Sequence, residues 1–229
     1  MTLDNIDRIA APEAALLWRD YLRIGKPVII TDAFDDTPIR AIDSLAKAQR
    51  AFADMPLPVR NEYTGGLLRR LRAGPELTSG AMVAPFADYW EYVAANRDSR
   101  LMCVEQVAPD HLVALSPQPR LCAAHPLAVE SLAADSLAPD PHALRNMFAG
   151  NRGNFAPMHF DGDCRHVLLY QVFGPKRFVI VPVDRGPTVA PIVNFATLQL
   201  QQLDESHKLD VLRSLGAYDA IVEAGESIL

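Results

Sequence analysis

The sequence predicts an α+β chain in which helices precede a β-barrel or jelly-roll core. Three observations carry that reading. Helical spacing with plausible caps is concentrated in the first half, and strand-like runs separated by turn residues crowd the last third. One of those runs is apolar on both faces beyond its first residue, as a strand buried on both sides would be. With 229 residues, 49% of them hydrophobic, the chain has ample length for a core. We expect one domain over residues 1–229. Its helical and strand N-terminal part spans 1–140, and barrel strands span 141–229 with the barrel incomplete at the C-terminal end.

The elements follow in order. Residues 12–24 place Ala15, Leu16, Trp18 and Leu22 at helical spacing, with Pro12 in the first turn and Gly25 as the stop. Residues 27–31 are a short β-branched strand. Asp43 or Ser44 caps a second helix running to about Asp54, and Pro85 opens a third over 86–96. That third helix carries the stripe Phe86, Tyr89, Trp90 and Val93, which reads as core packing or a dimer contact. Residues 100–107 return to strand composition, and the six prolines within 109–141 predict short helices and loops. Residues 155–160, 167–173 and 176–183 are strand-like, with Gly174-Pro175 suggesting an antiparallel hairpin between the last two. Residues 198–215 form a polar helix candidate, residues 218–223 another strand, and Ser227-Ile228-Leu229 a strand just beginning.

Composition excludes several function classes. The net charge of −6 lacks the basic excess of a nucleic-acid binder. No apolar run approaches the roughly 18 residues of a membrane span, and the chain does not open with the basic start of a signal peptide. Three cysteines without CxxC spacing (Cys103, Cys122 and Cys164) read as reduced thiols of a cytoplasmic protein. No P-loop, dinucleotide-binding, HExxH or GxSxG pattern is present. Thr64-Gly65-Gly66 before the basic run at 67–72 reads as a loop, whose arginines would suit the mouth of a site for a carboxylated substrate.

The chemistry-bearing stretch is Pro157-Met158-His159-Phe160-Asp161. In a strand, positions i and i+2 share a face, so His159 and Asp161 would project together. An imidazole and a carboxylate side by side supply two ligands of a 2-His-1-carboxylate iron site. The same pair also suits a strand histidine hydrogen-bonded to its neighbouring aspartate. Further on, Lys176, Phe178, Ile180 and Pro182 share one face of a strand, with Arg177, Val179 and Val181 on the other. One of Lys176 and Arg177 would therefore start a strand pointing into the barrel, where a cation taken from water needs an anion. A solvent-facing hairpin end is the alternative.

These motifs resemble the cupin-like, JmjC-related Fe(II)/2-oxoglutarate oxygenases. The similarity rests on His159-Phe160-Asp161 and on Leu168-Leu169-Tyr170-Gln171-Val172-Phe173-Gly174-Pro175-Lys176-Arg177-Phe178. It extends outward to 25–30, 85–96 and 225–229, so it covers roughly residue 22 to the end. The resemblance implies a double-stranded β-helix (jelly-roll/cupin) core and an oxidative hydroxylation or demethylation of a protein side chain or small metabolite. It also implies Fe(II) held by His159 and Asp161, and 2-oxoglutarate held through Lys176, with Gln171 in the cofactor-binding motif. Val167 stands where the family has Asn, Ala156 where it has Thr or Ser, and Cys103 where it has a cosubstrate-holding Tyr.

The family's third metal ligand is a histidine beyond the Gly-Glu strand, and none follows Glu226 here. Of the other histidines, His166 is the nearest to the motif, His207 sits in a polar helical stretch, and His111, His125 and His142 flank prolines or loops. Cys164 is close, but a thiolate suits softer metals. We therefore expect this chain to be a shortened form of a complete oxygenase. A non-catalytic cupin-like module that binds a ligand or partner is the competing reading, and a homodimer whose neighbour supplies the missing ligand is a third. The expected partners are a small-molecule or protein substrate, without nucleic acid or membrane.

Overall fold

Gly25 settles where the first helical segment stops. Helix α1 (Ala14–Asp20) passes through a 3-10 turn (Leu22–Ile24) and ends on Gly25, whose φ of 66° is left-handed. The chain then enters strand β2 (Val28–Ile30), completely buried as its unbroken β-branched run requires. The computed structural model describes residues 3, 5–61, 82–99, 101–117, 119, 121, 145–161, 166–189, 191–192 and 195–229. The Gly65-Gly66 segment with its arginines, the stretch 122–144 with Cys122, His125 and His142, and Cys164 lie outside the described residues.

Helix α2 (Leu45–Phe52) starts after Ser44, and α3 (Phe86–Ala95) starts directly after Pro85. The aromatic stripe of α3 is core: Phe86, Tyr89, Trp90 and Val93 are all buried. Phe86 meets Phe52 of α2 edge-on with ring centroids 5.7 Å apart. Burial pushes the Tyr89 phenol far above its ordinary pKa, and its hydroxyl donates to the Leu101 carbonyl at 2.9 Å. A short helix, α4 (Asp110–Leu115), follows strand β5 (Leu101–Val107).

The sheets are small. β2 lies between β1 (Asp7–Ile9), to which it is parallel, and β12 (Ser227–Ile228), and β12 pairs in turn with β7 (Leu169–Tyr170). β5 pairs with β3 (Pro56–Asn61) and β6 (Asn146–Gly150), and β4 (Met82–Pro85) extends that sheet beside β3. Among the described residues, β8 (Lys176–Ile180) pairs only with β11 (Tyr218–Val222), and β9 (Pro191–Ile192) only with β10 (Phe195–Ala196).

Strand alternation sorts these residues into layers. Val28, Ile30 and Tyr170 face a large core shared with α1, α2, α3 and β3. Ile29, Leu169 and Ile228 face the other way, where they meet Phe178 and Ile180 of β8 and Val222 and Ala220 of β11. The β1-β2-β12-β7 and β8-β11 sheets therefore face each other across one apolar layer, with helices packed on the far side of the former. This is the expected α+β arrangement of helices and several small sheets.

Three local expectations are corrected. Gly174 does make a turn, with φ of 69°, but the strands it joins do not form a hairpin: β7 pairs with β12, and β8 with β11. The turn carries the chain from one sheet to the facing one. Residues 155–160 are not a strand. Only an isolated antiparallel bridge joins His159 to Phe195, because Pro157 offers no N–H to a ladder. The polar helix expected over 198–215 is broken at Asp204, which caps α5 (Glu205–Ser214) by accepting from the His207 N–H, while a 3-10 turn (Leu200–Gln202) precedes it.

Candidate functional site

Lys176 and Arg177 begin β8 and turn to opposite faces. Arg177 donates from Nε and Nη2 to both carboxylate oxygens of Asp219 on β11, at 2.8 and 2.6 Å. That bidentate hydrogen bonding raises the Arg177 pKa further and satisfies its fork. Lys176 has no such carboxylate among the described residues. Its Nζ lies 4.9 Å from the centre of the Phe178 ring and 5.5 Å from that of Phe148 on β6. Desolvation by the surrounding protein lowers its pKa. Solvent still reaches the residue from its open side. Arg177 is thus a structural cation and Lys176 an unneutralised one, a choice that alternation alone left open.

Phe148 is the contributor the sequence reading missed. Its strand alternates, with Met147 and Ala149 packing toward the large core and Phe148 facing outward at 47% exposure. A period-2 reading of Asn146–Gly150 would have flagged it.

His159 is held by its own loop. Its Nδ1 lies 2.7 Å from the Pro157 carbonyl oxygen, so Nδ1–H donates there, and in the neutral ring the lone pair is on Nε2. Its ring lies 5.9 Å from that of Phe195. Asp161 follows as an exposed carboxylate. No hydrogen bond or ring contact joins His159, Asp161 and Lys176 among the described residues. Nor do three His, Cys, Asp or Glu side chains converge there as a metal-binding group. His166 packs edge-on against Trp18, centroids 6.1 Å apart, and His207 bonds Asp204.

The donor chemistry at His159 nevertheless fits a metal ion. A histidine whose Nδ1–H is anchored to a carbonyl presents its second nitrogen unprotonated, the state a divalent ion binds. Asp161 supplies hard oxygen donors. The strand expected to aim the two residues together is absent among the described residues, so their spacing alone does not bring them to one ion.

Gln171 does not reach toward Lys176. Its carboxamide nitrogen donates to the carbonyls of Phe173 and Gly174, both at 2.9 Å, inside the turn that leads to β8. Val167 is exposed and apolar, and Cys103 is completely buried in the large core. Two open clefts lie elsewhere. One of about 510 Å³ runs between residues 183–189 and α5, lined by Arg185, Val189, Leu198 and Leu215, and the other lies at the end of α3. Neither includes His159, Asp161 or Lys176.

Small sheets facing each other across an apolar layer, with helices on one side, define a mixed α+β protein of cupin-like character. The family description "cupin-like domain" matches residues 14–229, and the chain belongs to that family. No curated protein matches the chain. No helix among the described residues is long and apolar enough to cross a membrane.

Proposed function

We propose that this cupin-like chain is an Fe(II)- and 2-oxoglutarate-dependent oxygenase that hydroxylates or demethylates a protein side chain or small metabolite. The observation that carries the reading is Lys176: an ammonium with no carboxylate partner among the described residues, set beside the Phe148 and Phe178 rings. A partly desolvated ammonium with an open side is well placed to take up a carboxylate from solution. It follows the His159–Asp161 pair in the order of the oxygenase pattern, although the stretch from Asp161 to Gln171 is two residues longer than in that pattern.

In this reading His159, through Nε2, and Asp161 hold the ferrous ion. The bound metal supplies O₂ activation, with oxidation of 2-oxoglutarate to succinate and CO₂ as the source of electrons. Lys176 binds the far carboxylate of 2-oxoglutarate and so orients its 2-oxo acid end. Phe148 and Phe178 flank the ammonium that would carry that ion pair. The Pro157 carbonyl keeps the His159 ring in the tautomer that donates an electron pair.

Anaerobic addition of Fe(II) and 2-oxoglutarate to the protein is expected to produce a visible charge-transfer band that His159→Ala abolishes. Admission of air is expected to release succinate. With neither band nor succinate, the oxygenase reading is wrong. The exposed, apolar Val167 supports the second reading, a cupin-like module that binds a carboxylate without chemistry, because it offers no hydrogen bond where the oxygenases carry Asn. Carboxylate binding that persists without iron and without turnover would favour that module.

A further inference from the structure

We propose that Gln171 is a positioning residue: its carboxamide sets the turn that holds the Lys176 ammonium over Phe148 and Phe178. The inference rests on the reading of Lys176 as a carboxylate-binding cation. It replaces direct contact of Gln171 with the cosubstrate by an action through the backbone.

Both halves of Gln171 are engaged. Its main chain is tied to the turn before β12, with its N–H donating to the Glu226 carbonyl at 2.9 Å and its carbonyl accepting from the Gly225 N–H at 2.7 Å. Its side chain reaches forward instead, and the single carboxamide nitrogen donates to two carbonyls, those of Phe173 and Gly174. Only a primary amide of this length supplies two divergent donors there; Glu supplies acceptors alone and Met supplies no donor.

The turn so fixed does more than reverse the chain. It crosses from the β7 sheet to the β8 sheet, and Lys176 is the first β8 residue beyond it, paired with Val222 on one side only. The backbone direction at Gly174 and Pro175 therefore decides where the Lys176 side chain leaves the strand. Gly174 sits at φ of 69°, a conformation open to glycine, and an added Cβ there would meet nothing within 4 Å. The carbonyl-to-carboxamide bonds thus select one orientation from several that the glycine permits. On the near side of the turn, Phe173 is packed against Trp90 with centroids 5.6 Å apart, so the freedom removed by Gln171 lies on the Lys176 side.

The test uses the intact chain with its lysines reductively methylated with ¹³C, the Lys176 resonance assigned through Lys176→Arg. Glutarate, which needs no iron, is the probe for carboxylate binding. In folded Gln171→Met the Lys176 resonance is expected to titrate closer to an ordinary lysine than in the wild type. Glutarate affinity is expected to fall roughly tenfold, the worth of one to two hydrogen bonds. Gly174→Ala keeps Gln171 but strains the turn, and it is expected to move both readouts in the same direction. Lower thermal stability with an unmoved Lys176 titration in both variants overturns the proposal, because Gln171 then supports the fold alone. If no form binds glutarate but Lys176 responds to Gln171→Met, the carboxylate reading is lost and the positioning role stands.

Discussion

The Lys176 ammonium lies 4.9 Å from the centre of the Phe178 ring, while Arg177, between them in sequence, crosses to the opposite face and grips both oxygens of Asp219. Two adjacent cations on one strand therefore hold opposite positions in the energetics of the chain. One is neutralised and stabilising, and the other is kept unneutralised.

Substitution should separate them. Lys176→Met is expected to abolish glutarate binding while leaving the folded protein about as stable as the wild type, since a partly desolvated, unpaired cation is replaced by an apolar side chain. The pH dependence has a definite sign. The Lys176 pKa is lowered on folding, so the folded state releases its proton before the unfolded chain does. Wild-type stability relative to Lys176→Met therefore rises as pH climbs from that lowered value toward 10.5, the ordinary lysine value. Arg177→Met is expected to do the reverse, costing about 1 kcal/mol in urea unfolding through loss of a partly exposed bidentate pair and sparing glutarate affinity. Equal effects of the two substitutions would contradict the division of roles.

Gly225 is strained ground for any other residue. Its φ is 90°, and a Cβ placed there would collide with the Arg40 guanidinium, coming within 2.8 Å of Cζ. Arg40 is held in place by Asp35 at 2.8 Å. Gly225→Ala is expected to cost about 1–3 kcal/mol in chemical denaturation, combining backbone strain with displacement of that pair. Gly216→Ala, at φ of 60° with open space around it, should cost only about 1 kcal/mol. A Gly225 variant no less stable than the Gly216 one would show that the Arg40 contact does not constrain the turn.

Asp204 titrates with its helix. Hydrogen bonds from the His207 N–H, then the Ser206 hydroxyl and the His207 ring, hold its carboxyl down to about 2. A depressed acid contributes stability that is complete above the ordinary Asp value of 3.8 and disappears as pH falls through about 2. Asp204→Ala is accordingly expected to unfold at lower temperature than the wild type at neutral pH, with the gap closing toward pH 2 in thermal melts followed by circular dichroism. A gap independent of pH would mean that the carboxylate is not the capping group.

What local sequence could determine here, it determined well. Pro85 and the stripe Phe86, Tyr89, Trp90 and Val93 define α3 and its buried face, because helix periodicity and apolar spacing are properties of neighbours in the chain. The run Val28-Ile29-Ile30 is legible as a strand for the same reason, whereas the burial on both faces expected of 176–183 is not met, since Lys176 and Arg177 are exposed and Phe178, Val179 and Ile180 only half-buried. Partner choice was not local. Gly174-Pro175 specifies a turn but not which strands meet across it, and the apolar layer between facing sheets sends β7 to β12 and β8 to β11. The site divides in the same way. His159, Asp161 and Lys176 stand out by residue type and spacing, whereas Arg177 became structural only because β11 brings Asp219 beside it. Phe148 and the Pro157 carbonyl likewise gain their roles only through folding. Side-chain chemistry is written residue by residue, but whether a charge is matched depends on what the fold carries to it from far along the chain.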